Sequence, residues 1–234
     1  MMKRAFLIPV LGLLTLLLAV GCTCSHKKVK NQEDTTLMEP LYDIQTSMGT
    51  IRVKLYAKTP KHRENFEKLA AEKFFDGILF HRVIDGFMIQ SGDPLTRDTS
   101  RVQEWGTGGP GYTVPAEIQS EYRHLKGALA AARRGDFVNP TKASSGSQFY
   151  LVQDAANCAQ LDGEYTVFGQ AVEGLDVIDA IASVPTNFRD CPLSPVVIIS
   201  VSKVEPEAPK EAADSASVRE EPADSLPSSS QPAD

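Results

Sequence analysis

Phe80-His81-Arg82-Val83-Ile84-Asp85-Gly86-Phe87-Met88-Ile89-Gln90-Ser91-Gly92-Asp93 is the stretch whose reading decides the fold. It holds two short strand-like runs, Leu79 to Ile84 and Phe87 to Gln90, on either side of Asp85-Gly86. Apolar runs of this length, punctuated by Asp and Gly, signal paired strands. Similar runs recur downstream at Ala128 to Ala132, Gln148 to Val152 and Thr166 to Phe168. Upstream, Tyr42 to Thr46 and Ile51 to Tyr56 alternate apolar and polar residues around Ser47-Met48-Gly49, a hairpin pattern. Val196 to Val204 alternates as a final strand. Thr59-Pro60 supplies an N-cap and a first-turn proline for a helix reaching Lys73, and Leu175, Ile178 and Ile181 carry a second helix over Leu175 to Ala182. Many short strands with two helices predict a mainly β protein built as a closed antiparallel barrel.

Outward from this domain, Pro40 to Val204, the composition changes. Lys3 and Arg4 precede an apolar stretch from Phe6 to Val20 that ends at Gly21-Cys22, the layout of a secretion signal over residues 1–21. It is shorter than the roughly 20 apolar residues a membrane span needs, and it contains Pro9 and Gly12. Residues 22–39 are polar and without periodicity, a flexible tether; 205–234 is rich in Pro, Ser, Ala and acidic residues, too poor in apolar groups to fold. Of the net charge of -6, the tail accounts for eight acidic and two basic residues, leaving twenty-two of each sign before it. A neutral body with no basic cluster beyond Lys27, Lys28 and Lys30 excludes nucleic acid as a partner.

The quoted stretch resembles the signature of the cyclophilins, a family of peptidyl-prolyl cis-trans isomerases. Gly146-Ser147-Gln148-Phe149-Tyr150, Leu161-Asp162-Gly163 and Val167-Phe168-Gly169 follow in the family's order. The resemblance implies an eight-stranded antiparallel barrel with a helix closing each end, and a proline-containing polypeptide as substrate. It implies that Arg82 is the catalytic arginine and Gln90 the glutamine beside it. Phe87, Met88, Tyr150 and Leu161 would wall the proline pocket, His81 would stand at its rim, and Ala132, Arg133 and Tyr165 would complete the binding surface. Taken singly, Phe87, Met88 and Leu161 read equally well as core and Arg82 as an ion-pair partner; the combined spacing favours the site. Tyr150 stands where many members have phenylalanine, so its hydroxyl needs a partner or a route to solvent. Arg134 to Pro140 forms an insertion beside the expected groove.

Leu18-Ala19-Val20-Gly21-Cys22 likewise resembles a bacterial lipobox, which implies acylation of Cys22 and a monomeric lipoprotein held at the cell envelope, facing the periplasm or the exterior. Its clients would be exported proteins. Cys158 and Cys191 approach one another in the fold the resemblance implies, so they are the plausible disulfide. A lipid-anchored chaperone that merely holds proline segments is the rival reading.

Rotation about an X-Pro bond makes and breaks no covalent bond, so neither a cofactor nor a metal is expected. His26, His62, His81 and His124 show no metal-ligand spacing, and His62 and His124 are expected in solvent. Gly106-Thr107-Gly108-Gly109-Pro110-Gly111 fits a dinucleotide pattern but opens no helix, and reads as a loop beside the groove. Arg134-Gly135-Asp136 is too short a match to carry an adhesive function.

Overall fold

The computed structural model describes residues 39–205; the signal segment, Cys22, the tether before residue 39 and the tail after residue 205 lie outside the described residues. Nine strands and three helices follow in the order β1 Leu41–Thr46, β2 Gly49–Leu55, α1 Pro60–Ala71, β3 Arg82–Ile84, β4 Met88–Ser91, β5 Thr113–Val114, β6 Ala128–Arg133, β7 Ser144–Val152, α2 Ala155–Cys158, β8 Val167–Glu173, α3 Leu175–Ala182 and β9 Ile198–Lys203. Eight strands form one antiparallel sheet in the order β3-β4-β7-β6-β8-β2-β1-β9, and the two-residue β5 pairs with β7.

The sheet curls without closing. A closed barrel needs a ladder between β3 and β9; what joins that seam is an isolated bridge, Leu79 to Val197, with backbone hydrogen bonds from Gly77 N–H to Ile198 C=O (2.8 Å), Ile198 N–H to Ile78 C=O (2.8 Å) and Phe80 N–H to Val196 C=O (2.9 Å), all of it before β3 begins. The opposite edge of this segment is held by side chains: Leu79 N–H donates to Thr96 Oγ1 (3.0 Å), and Ser91 Oγ donates to Leu79 C=O (2.9 Å). The predicted strand from Leu79 begins only at Arg82, beyond the short seam to β9, and the expected closed barrel is corrected to a curled half-barrel.

Alternation across the sheet sorts side chains into two layers. In register, Val83, Ile89, Leu151 and Leu129 form one cross-strand row and belong to the main core with Phe66 and Leu69 of α1 and Ile178 and Ile181 of α3. The adjacent row faces the other way. Met88, Ala130, Tyr150, Val152 and Val167 build a second, smaller cluster, packed by Phe87, Leu161 and Tyr165. β7 is buried along nearly its whole length because it feeds both layers.

α1 begins at Pro60 as predicted, but Thr59 does not cap it; its hydroxyl donates back to Tyr56 C=O. Glu117 arrives from a distant loop instead and accepts from the N–H groups of Lys61 (3.1 Å) and His62 (3.0 Å). A carboxylate at a helix N-terminus satisfies orphan donors and complements the dipole.

Candidate active site

Register explains how residues distant in sequence meet. Arg82 on β3 lies opposite Gln90 on β4, Gln90 opposite Tyr150 on β7, and Tyr150 opposite Ala130 on β6. Four strands thus present one row on the face turned away from the main core. Gly86, at φ +74°, allows the tight reversal that puts Phe87 and Met88 beside Arg82. Phe87 N–H closes the turn on Ile84 C=O (3.1 Å).

This row borders a hollow of about 230 Å³ lined by Arg82, Phe87, Met88, Gln90, Ala132, Arg133, Tyr150, Leu161 and Tyr165. Of the ten residues singled out for catalysis and binding, nine surround it; His81 faces a neighbouring hollow across Arg82. A larger, open depression of about 900 Å³ adjoins through Gln90, Ala132 and Arg133. Its walls include Gly106 to Gly109 on one side and Arg134, Val138 and Asn139 of the insertion on the other. The larger depression is wide and has no aromatic wall but Tyr112, whereas the smaller hollow sets Phe87, Met88, Leu161 and two tyrosines against Arg82, Gln90 and Arg133.

The Arg82 guanidinium is 44% exposed, and its Nε stands 3.9 Å from Asp190 Oδ2. That separation, between two half-exposed groups, is too long for a hydrogen bond and leaves the donors available. Gln90 is oriented through Gln148, a residue whose role the motif did not disclose. Gln148 Nε2 donates to the carbonyls of Gly106 (3.0 Å) and Gly108 (2.8 Å), which turns its Oε1 toward Gln90 Nε2 (3.0 Å). The two carbonyls thereby fix both amides.

Arg133 is not the solvent-facing side chain its charge suggests: only 5% of it is exposed. Its guanidinium lies 4.4 Å from the Tyr165 ring centroid, donates to Glu164 C=O (2.9 Å) and pairs with Asp136 and Glu164. Lys142 joins the same two carboxylates. A shift of pairing between Ala131 and Arg133 marks a bulge that redirects the strand here.

The histidines correct the expectation of solvent exposure, since His62 and His124 are both buried. His124 supplies the partner that the Tyr150 hydroxyl needs. The hydroxyl donates to His124 Nε2 (2.8 Å), and Nδ1–H donates to Asp162 Oδ1 (2.8 Å). Nδ1–H of His62 likewise faces Glu117 Oε2 (2.7 Å), and its Nε2 accepts from Ser144 Oγ (2.9 Å). Burial pushes the Tyr150 hydroxyl far above its ordinary range. Partial burial would raise Asp162, but hydrogen bonds from His124 and Arg123 outweigh it and hold the carboxyl at about 2.

The expected disulfide is absent: Cys158 and Cys191 are free thiols. Cys158 is buried in the second cluster with its Sγ 3.4 Å from Phe87 O, and burial raises its pKa to about 11. Cys191 stands at the rim beside Arg189, with its Sγ 3.8 Å from Pro192 O and its backbone bonded to Asn187 in both directions. Among the described residues, no cluster of three or more His, Cys, Asp or Glu side chains is placed to hold a metal ion.

The buried histidines fix the acid limb of stability. Burial lowers the pKa of His62, His81 and His124, against the raising effect of Glu117, Asp93 and Asp162. Below the unfolded value of about 6.5 the unfolded chain therefore binds more protons, and each such proton costs the fold about 1.4 kcal/mol per pH unit. Asp162 adds a further loss from about pH 4 down toward 2. Thermal denaturation should give a melting temperature that falls steadily below about pH 6.5; a flat profile from pH 7 to 5 would contradict these protonation states.

The family model described as cyclophilin type peptidyl-prolyl cis-trans isomerase/CLD matches residues 41–203. A peptidyl-prolyl cis-trans isomerase of Acinetobacter baylyi is 36% identical over 173 residues, 70% of this chain and 86% of that protein. Peptidyl-prolyl cis-trans isomerase B of Streptomyces anulatus is 38% identical over 185 residues, covering 70% of this chain and 97% of its own. The crystal structure of a Cryptosporidium parvum cyclophilin type isomerase superposes with a TM-score of 0.63 at 26% identity, over 72% of this chain and 99% of that one. A second structure of that protein, in the presence of the dipeptide Ala-Pro, gives a TM-score of 0.62.

Proposed function

The chain belongs to the cyclophilin family of peptidyl-prolyl cis-trans isomerases, and on that premise we propose that Arg82 carries the reaction and that the enzyme serves exported proteins from a lipid anchor at Cys22. The observation that supports the first part is the row Arg82-Gln90-Tyr150, which sets a guanidinium beside a hollow walled by Phe87, Met88 and Leu161.

Rotation about the prolyl bond is opposed by about 18 to 20 kcal/mol, because the nitrogen lone pair is conjugated with the carbonyl. With the ring held among Phe87, Met88 and Leu161, Arg82 donates to the carbonyl before the proline. As the bond twists, the nitrogen lone pair localises and becomes an acceptor for a guanidinium N–H. That interaction exists only in the transition state, so it lowers the barrier instead of merely tightening binding. Gln90, fixed through Gln148, positions the flanking peptide group. The Ala-Pro dipeptide present with the Cryptosporidium relative supports a proline ligand for this groove.

Turnover is tested by NMR exchange between the cis and trans forms of a blocked proline tetrapeptide with the full chain; exchange unchanged by added protein would refute the assignment. Anchoring is tested by Cys22→Ala. The native chain should sediment with membranes and the variant should move to the soluble envelope fraction; equal partitioning of both would remove the lipid anchor from the account.

A further inference from the structure

Across Arg82 from the proline hollow lies a third one, of about 210 Å³, walled by His81, Arg82, Trp105, Asn187, Arg189 and Cys191 among others. Arg82 and Gln90 line both hollows, so a peptide with its proline in the first passes a neighbouring side chain into the second.

The charge of this hollow is one-sided. None of its lining residues is a carboxylate. Arg189 is held by neutral acceptors, Gln103 Oε1 (2.8 Å), Val102 O (3.3 Å) and Gln103 O (3.4 Å), which place its guanidinium without neutralising it. The acids around the hollow are engaged elsewhere. Asp93 accepts from the N–H groups of Leu95, Gly106 and Gly108, Asp98 accepts from Ser100, and Glu104 pairs with Arg101. Asp190 reaches Arg82 only at 3.9 Å.

His81 adds an independent sign of a ligand. It is 6% exposed, and among the described residues its two ring nitrogens are the buried side-chain atoms that meet no partner in good hydrogen-bond geometry. Leu79 C=O and the Gln148 amide lie near, but both are already engaged, with Ser91 Oγ and with Gln90 and the Gly106 and Gly108 carbonyls. The ring lines this hollow. A buried donor with no acceptor is costly, and an acceptor entering the hollow removes that cost.

We propose that this hollow is a specificity subsite for a carboxylate side chain, an aspartate or glutamate on a residue flanking the isomerised proline, held by Arg189 with His81 as a further donor. The proposal rests on the isomerase reading and names a substrate preference within it.

The test uses the full chain and four blocked tetrapeptides that carry Glu or Gln immediately before or immediately after the proline. At one of the two flanks the Glu peptide should have a kcat/KM about fivefold above its Gln counterpart, the scale of a partly exposed ion pair. The advantage should shrink in 1 M salt, which screens such a pair. Arg189→Gln, which can still donate to the Gln103 and Val102 carbonyls, should abolish the Glu advantage while leaving the Gln peptides unchanged. Arg189→Glu should turn it into a Glu penalty. Equal rates for Glu and Gln at both flanks of the native protein, or an advantage that survives Arg189→Gln, overturns the subsite alone. No turnover of any of the four peptides overturns the isomerase reading with it.

Discussion

Arg82→Ala is expected to lower kcat/KM on a proline tetrapeptide by about 10²- to 10³-fold, the loss found when one preorganised donor is removed from a site of developing charge. Bringing a step of tens of seconds into the millisecond range requires about 5 to 6 kcal/mol, of which such a donor supplies roughly 3 to 4. Orientation of the ring between Phe87, Met88 and Leu161 supplies the remainder, so peptide affinity should change only a few-fold. Stability should hardly move, because the Arg82 side chain is nearly half exposed and its ion-pair contact with Asp190 is long. Arg82→Lys should recover little, since an ammonium lacks the planar fork that reaches carbonyl and nitrogen together. Exchange rates, binding by titration, and melting curves on the three proteins check all of this. A holding function would behave differently: it would persist in cells expressing Arg82→Ala, whereas a catalytic role would fail there.

Gly92→Ala should destabilise the protein by about 4 kcal/mol, combining backbone strain with overpacking. The melting temperature should then fall by roughly 8 to 16 °C. Gly92 sits just past β4 at φ +93°, a conformation that L side chains rarely adopt. An added Cβ would fall within the radius of Ser147 O and 2.8 Å from Gln148 Cα. The closeness has a purpose: Ser147 Oγ donates to Gly92 C=O (2.7 Å), and Gln148 next door orients Gln90. The same substitution should therefore reduce kcat/KM below the temperature at which the variant unfolds. A melting temperature within 2 °C of the native value, by differential scanning calorimetry, would show that β4 and β7 can separate here without loss.

Much of the fold was legible because its signals are local. The hairpin of β1 and β2, the entry to α1 and the helix over Leu175 to Ala182 depend on alternation, proline placement and i, i+3 spacing, and the structure places them where those patterns lie. The short β3-β4 turn puts Arg82, Phe87, Met88 and Gln90 in one contiguous motif, so the centre of the site could be named from one stretch. What escaped depends on partners far apart in the chain. His62 and His124 looked like solvent residues because the carboxylates that receive them, Glu117 and Asp162, lie 55 and 38 residues away. Thr59 looked like a cap because nothing nearby announced Glu117. The open seam lies where residues 77–80, more than a hundred residues before β9, meet it through a few backbone bonds and one bridge, a pairing length that strand propensity does not register. Gln148 was visible within a motif, but its orienting role needs the Gly106 and Gly108 carbonyls, some forty residues upstream. β5, two residues long, has no pattern to read.

The account comes down to where one guanidinium points when a proline is present. A crystal structure of the full chain with a blocked proline tetrapeptide should place the pyrrolidine ring against Met88 and Leu161, with an Arg82 N–H about 2.9 Å from the carbonyl oxygen that precedes the proline. A peptide seated with its proline outside that hollow, or an Arg82 turned away and bonded to Asp190 in the complex, would contradict it.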